Sequence, residues 1–194
     1  MLIAFEGLDQ SGKQTQAELL RDRTKAAGRR TKLVSFPDYG TSIGEEIARA
    51  LQGERDYGPD VMQLLYVANR YERKPEIEQY LESGTVVLCD RYLASSIAYG
   101  EGFGLDPKWL AAMQQYLPQP DVTILLDIAP ETAIARKTVA RDRYERDRAL
   151  LARVRESYLR QARQPSWLTF DGEQPKTAVA QQISDALAAQ LAPQ

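Results

Sequence analysis

The residues best suited to chemistry begin at Gly7-Leu8-Asp9-Gln10-Ser11-Gly12-Lys13. An apolar run, Leu2-Ile3-Ala4-Phe5, stops just ahead of them at Glu6, and a helical pattern starts just after them with Thr15-Gln16-Ala17-Glu18-Leu19-Leu20. A glycine loop between a strand and a helix turns successive backbone N–H groups inward. The new helix adds its partial positive end, and the lysine reaches outward to further phosphates. The chemistry implied is the cradling of a nucleotide polyphosphate by residues 7–15. The pattern asks for Ser or Thr directly after the lysine as a Mg²⁺ ligand. Here Gln14 stands in that place and Thr15 follows. The Gln14 amide oxygen is then the candidate ligand, directly or through water, while Thr15 is one residue further round the helix.

Further groups of residues add to the loop. Asp90-Arg91-Tyr92 directly follows the apolar run Val86-Val87-Leu88-Cys89. In a parallel sheet the carboxyl ends of strands open onto the ligand crevice, so Asp90 is a candidate for the metal and Arg91 for a bidentate phosphate clamp. A structural Asp–Arg ion pair is the alternative. Arginines crowd the stretch from Arg136 to Arg148. It reads either as a solvated helix face or as a lid whose arginines close over transferring phosphates, where one added arginine is worth about 10³ in rate or more. Tyr66 and Arg70 are four apart on one helical face, an aromatic platform beside a guanidinium that suits a planar base. A core tyrosine next to a surface arginine is the alternative there.

These groups must be held by a framework, and the framework is legible. Short, continuously apolar runs at residues 2–5, 31–36, 85–89, 122–127 and 167–170 alternate with helical stretches. Strands apolar throughout are expected where both sheet faces are covered, which points to an α/β fold with right-handed βαβ crossovers. Helices are expected over residues 13–27, 42–51 with Ser42 as N-cap, 59–83 with a kink or break near Lys74 ahead of Pro75, 94–99, from about Asp106-Pro107, from Pro130, from Asp147 to about Arg163, and 176–191. No internal repeat or interdomain linker interrupts them, so the 194 residues are expected to form one domain.

Composition narrows the function. Twenty-five Lys and Arg against twenty-seven Asp and Glu leave a formal charge of −2, with no global pull toward nucleic acid or membrane. Histidine is absent, which removes imidazole acid–base catalysis and the commonest metal ligand. The single cysteine, Cys89, is expected to be a buried, inert thiol. It permits no internal disulfide and suits a reducing cytoplasm. No apolar run approaches the about 20 residues that span a bilayer, and the first residues read as a strand, not a signal peptide. Neither a guanine-reading NKxD motif nor an LSGGQ motif is present.

Taken together, Phe5-Glu6-Gly7-Leu8-Asp9 through Lys13, Phe36-Pro37, Ala68-Asn69-Arg70, Asp90-Arg91-Tyr92 with Ala94-Ser95 and Ala98-Tyr99, Pro120-Asp121, and Arg143-Tyr144-Glu145 resemble the thymidylate kinases of the nucleoside-monophosphate kinase group over nearly the whole chain. The resemblance implies a P-loop NTPase-type three-layer α/β fold, with a five-stranded parallel sheet, helices on both faces and an arginine-rich lid at about 137–147. It implies Mg²⁺-dependent transfer of the ATP γ-phosphate to dTMP by a homodimer, with ATP held by Gly7, Leu8, Asp9, Gln10, Ser11, Gly12, Lys13, Gln14 and Thr15. Asp9 is then near the acceptor's sugar and phosphate, and Phe36, Tyr39 and Arg91 line the monophosphate site. Tyr66 stacks on thymine, Arg70 bonds its carbonyl and Ser96 adds a polar contact. Tyr99 fills the space a ribose 2′-hydroxyl needs. Tyr144 and Glu145 reach the sugar or the metal shell, and Arg136 packs on adenine opposite Asp171-Gly172-Glu173.

The chain departs from the family at informative places. Some members carry a catalytic arginine inside the loop, where this chain has Gln10, so the lid candidates Arg141, Arg143 and Arg146 inherit that charge. Tyr66 replaces the usual phenylalanine, and Asp38-Tyr39 follows Phe-Pro where some members have a basic residue. Two other readings stay open on sequence: a kinase of dUMP or of thymidine itself, and a non-catalytic nucleotide-binding regulator.

Overall fold

The computed structural model describes residues 1–136 and 147–191. In chain order these form β1 (Leu2–Glu6), α1 (Lys13–Ala26), β2 (Thr31–Ser35), α2 (Ser42–Leu51), α3 (Pro59–Glu82), β3 (Val86–Asp90), α4 (Leu93–Gly102), α5 (Pro107–Ala112), β4 (Val122–Asp127), α6 (Pro130–Arg136), α7 (Arg148–Gln161), β5 (Trp167–Asp171), α8 (Lys176–Ala186) and α9 (Ala188–Leu191). The strands make one five-stranded sheet in the order β2-β3-β1-β4-β5, and all neighbours are parallel.

Alternation along the central strands explains why they read as unbroken apolar runs. Ile3 and Phe5 of β1, with Val86 and Leu88 of β3, pack against Ala17 and Leu20 of α1 and Val179 and Ile183 of α8. Leu2 and Ala4, with Val87 and Cys89, face the opposite layer, where Ile77 and Tyr80 of α3 and Leu93 of α4 cover them. Both faces are therefore dry, as period-two side chains in a covered parallel sheet require. Cys89 lies wholly inside, and burial pushes its thiol far above the ordinary value.

Local differences from the sequence expectation have physical causes. The cap of α2 is Thr41, not Ser42: Thr41 has extended backbone and its Oγ1 accepts from Gly44 N at 3.0 Å. Helix α3 runs on through Pro75 without a break. Tyr71 and Tyr80, on either side of the proline, pack against the same buried cluster as Ile77, so tertiary burial holds both halves in one helix. The last helix divides at Leu187, which is fully buried between α8 and α9.

Candidate active site

Strand register assembles the site. Phe5 pairs with Asp90, and Arg91 N donates to Phe5 O at 2.9 Å. Phe36 N donates to Asp90 O, also at 2.9 Å. The loops after β1, β2 and β3 therefore leave the sheet side by side at its carboxyl edge, where an open α/β sheet binds ligands.

The loop after β1 is shaped for close backbone approach. Gly7 has φ +139°, and a Cβ there would lie 2.5 Å from Leu126 O, so no side chain fits. Gly12 is left-handed (φ +94°) at the start of α1. Its neighbours curl Lys13 back over the loop: Nζ donates to Leu8 O at 2.7 Å and lies 3.5 Å from Ser11 Oγ. Burial, aided by Arg91, pushes the Lys13 ammonium down to about 8, against the opposing pull of Asp9, Asp90 and Glu6. That is a buried cation that an anion would relieve.

Arg91 lies at the centre. Its backbone is left-handed (φ +63°), unusual for a residue with a side chain. Its Nη2 donates to Asp9 Oδ1 at 2.6 Å, and its Nη1 to Gly7 O, Ser95 Oγ and Tyr158 Oη at 3.2–3.3 Å. Tyr99 Oη donates to the other Asp9 oxygen at 2.9 Å. Burial alone would raise the Asp9 carboxyl, but Arg91 and Lys13 outweigh it and hold it below the usual carboxylate range. Burial alone would lower Arg91, yet Asp9 holds it well above its ordinary value. Burial raises the Tyr99 phenol, so it stays a donor.

Behind this cluster is a residue the sequence reading did not single out. Glu6, fully buried at the end of β1, accepts from Tyr92 N at 2.8 Å, Ser95 N at 3.3 Å, Ser95 Oγ at 2.6 Å and Tyr158 Oη at 3.2 Å. It fixes the groups that hold Arg91. Its place at a strand end beside Gly7 was the available signal; for Tyr158, far along α7, there was none.

A cavity opens next to Arg91. Among its walls are Asp9, Phe36, Tyr39, Tyr66, Arg70, Arg91, Ser96 and Tyr99, so the residues assigned to an acceptor site fall together there. Arg70 is buried, donates through Nη1 to Tyr66 O at 3.1 Å and Ser96 Oγ at 2.8 Å, and sits 5.8 Å from the Phe36 ring centre. Asn69, fully buried, ties the segment after Phe36: its Oδ1 accepts from Asp38 N at 2.7 Å, and its Nδ2 donates to Asp38 O, Thr41 Oγ1 and Glu72 Oε2. Gln63 also lines the cavity and was not foreseen.

Other candidates fall around the loop. Arg136 donates to Gln10 O at 3.1 Å and to Gly172 O at 3.0 Å, bridging the loop after β1 and the turn after β5. Gln14 is exposed, and its Nε2 donates to Glu18 Oε1 along α1 at 3.0 Å; Thr15 is exposed as well. Asp90 Oδ1 is buried with no hydrogen-bond partner, which fits a nearby cation or its water. Among the described residues no cluster of three acidic or thiol groups forms a ready metal cage. Tyr144 and Glu145, with the lid candidates Arg141, Arg143 and Arg146, lie outside the described residues. No helix among the described residues is long and apolar enough to cross a membrane.

Comparison with known proteins gives a consistent result. The family model described as thymidylate kinase matches residues 5–183. The thymidylate kinase of Arabidopsis thaliana is 39% identical over 145 residues, 75% of this chain and 55% of its own length. This chain thus spans little more than half of that longer relative. The probable thymidylate kinase 1 of Saccharolobus solfataricus is 32% identical over 181 residues and is covered to 93%, as is this chain. Among solved structures, the thymidylate kinase of Candida albicans matches with a TM-score of 0.83 at 28% identity, covering 97% of this chain and 91% of that one.

Proposed function

The chain belongs to the thymidylate kinase family of ATP-dependent nucleoside-monophosphate kinases, and from that premise we propose how its residues divide the reaction. ATP lays its phosphates along residues 7–15 with Lys13 at their outer end, and Arg136 packs against its base. The acceptor dTMP occupies the cavity, with its base over Tyr66 beside Arg70 and Ser96, its sugar against Asp9 and Tyr99, and its phosphate toward Arg91, Phe36 and Tyr39. An oxygen of the dTMP phosphate attacks the γ-phosphorus in line. The bond from that phosphorus to the bridging oxygen breaks, and ADP leaves. The attacking oxygen is already anionic, so the absence of histidine is no obstacle.

The observation that carries this division is the seat of Arg91. One guanidinium hydrogen-bonds the Gly7 carbonyl and Asp9 of the phosphate loop while also forming a wall of the cavity. A positive group on that seam can meet both phosphate chains, and charge neutralisation with positioning is most of what phosphoryl transfer requires. Tyr99, bonded to Asp9, stands where a 2′-hydroxyl would intrude and favours deoxyribose. Lid arginines Arg141, Arg143 and Arg146 add charge on closure, since Gln10 has none, and Tyr144 adds a contact to the nucleotide.

A divalent ion, used generally by the family, fits the orphaned oxygen of Asp90. Asp90, with Gln14 and Glu145, would hold Mg²⁺, which supplies neutralisation of phosphate charge. By analogy within the family the active form is a homodimer, and the chain works in the cytoplasm as one kinase domain. The test is ADP release with ATP and Mg²⁺ across dTMP, dUMP, dCMP, dGMP and thymidine. The expected result is highest kcat/KM for dTMP. Preference for thymidine or dUMP overturns the acceptor assignment, and ATP binding without ADP release favours a regulator.

A further inference from the structure

Helix α3 places another polar group in the acceptor cavity. Gln63 is three residues before Tyr66 and seven before Arg70, so all three share one face of the helix. Only 2% of Gln63 is exposed, and it forms part of the cavity wall. Its Oε1 is buried without any hydrogen-bond partner. A buried amide oxygen left unpaired is unfavourable unless a ligand completes it. Met62 and Leu51, which line the same cavity, are apolar.

We propose that Gln63 is a specificity-determining residue that reads the imide edge of the pyrimidine, a reading that rests on dTMP occupying this cavity. A primary carboxamide and a cyclic imide are complementary. The amide oxygen accepts from the ring N3–H while the amide N–H donates to the adjacent C4 carbonyl. The helix geometry allows it. Gln63 and Arg70 are about 10.5 Å apart along the helix axis, by the rise per residue of an α-helix. Arg70 reaches back one turn, since its Nη1 bonds the Tyr66 carbonyl. Tyr66 stands between Gln63 and Arg70 on that face, three residues after Gln63 and four before Arg70, and all three line the cavity. Arg70, held to Ser96, approaches one side of the base, and Gln63 approaches from the other.

The test is Gln63→Leu and Gln63→Met, which keep the volume and remove the amide, with dTMP and ATP kinetics and thermal unfolding of the free enzyme. The expected result is a rise of at least about tenfold in KM for dTMP, since both hydrogen bonds of the amide to the base are lost. The changes in kcat and in KM for ATP should stay within about twofold. The melting temperature should hold or rise, because an unpaired buried polar atom has been removed. An unchanged KM for dTMP in both variants overturns the proposal, as does an equal rise for both substrates. If the parent enzyme phosphorylates dTMP and the variants match it, Gln63 has been misread; if the parent ignores dTMP, the acceptor assignment has failed instead.

Discussion

The depressed ammonium of Lys13 makes a quantitative prediction about pH. Burial, with Arg91 adding to it, lowers the group from about 10.5 to about 8 in the free enzyme. Only the protonated form attracts the ATP phosphates, and kcat/KM reports the free enzyme. By that value about nine-tenths of Lys13 is charged at pH 7, and about one-tenth at pH 9. The kcat/KM for ATP should therefore fall roughly tenfold for each pH unit above 8. Once phosphates are bound, their charge raises the ammonium again, so kcat should stay flat through the same range. At pH 8.5 ATP binding should take up roughly three-quarters of a proton.

Steady-state ADP release between pH 6.5 and pH 9.5 gives the first number, at saturating dTMP and Mg²⁺. Titration calorimetry in two buffers of different ionisation enthalpy gives the second. Lys13→Arg supplies the control, because a guanidinium does not titrate there. An ATP kcat/KM that stays level to pH 9.5 with no proton uptake refutes the reasoning. So does an alkaline fall that persists unchanged in Lys13→Arg. The sign for stability follows from the same shift: between about 8 and 10.5 the unfolded chain binds more protons at this residue than the folded one. Its contribution must therefore grow more favourable as pH rises across that window.

Other perturbations have equally definite outcomes. Arg91→Ala should lower kcat by about 10³ while circular dichroism keeps the native helix content, because the charge on the phosphate seam is lost and the sheet is untouched. Asn69→Ala leaves Asp38 N unpaired and should reduce stability by about 2 kcal/mol in urea unfolding. It should also raise KM for dTMP but not for ATP, since the segment it ties carries Tyr39 into the cavity. Gln14→Ser should shift the Mg²⁺ concentration for half-maximal rate only modestly, because Gln14 is exposed whereas Asp90 offers a buried, unpaired oxygen.

The strands and the loop after β1 were legible because their signals are local. Apolar runs of fixed length, a glycine loop and a following helix pattern each lie within a dozen residues, and each strand came out within about a residue of its reading. Tyr66 and Arg70 were legible for the same reason, as one helical face. Gln63 belongs to that face too, but a glutamine among helix residues has no distinguishing pattern until the cavity beside it is seen. The cap of α2 was misassigned by one place because Thr41 and Ser42 are both good caps; Asn69 and Glu72, distant in sequence, select Thr41. Pro75 promised a break that burial on α3 overrides.

What could not be read is the pairing of distant residues, and the chemistry depends most on it there. Arg91 is held in a left-handed backbone that disfavours it by about 1–3 kcal/mol. The strain persists because Phe5 O accepts from Arg91 N, while Glu6 holds Tyr92 N, the Ser95 hydroxyl and the Tyr158 phenol. Ser95 and Tyr158 in turn accept from the Arg91 guanidinium. A charge fixed in this way need not reorganise when phosphate arrives, which is the condition under which electrostatic stabilisation of a transition state is most effective. A flexible arginine at the same place would bring the same charge and lose orientation entropy on every turnover. Glu6 is fully buried and forms no part of the cavity wall, yet through Ser95 and Tyr158 it holds the groups that accept from Arg91.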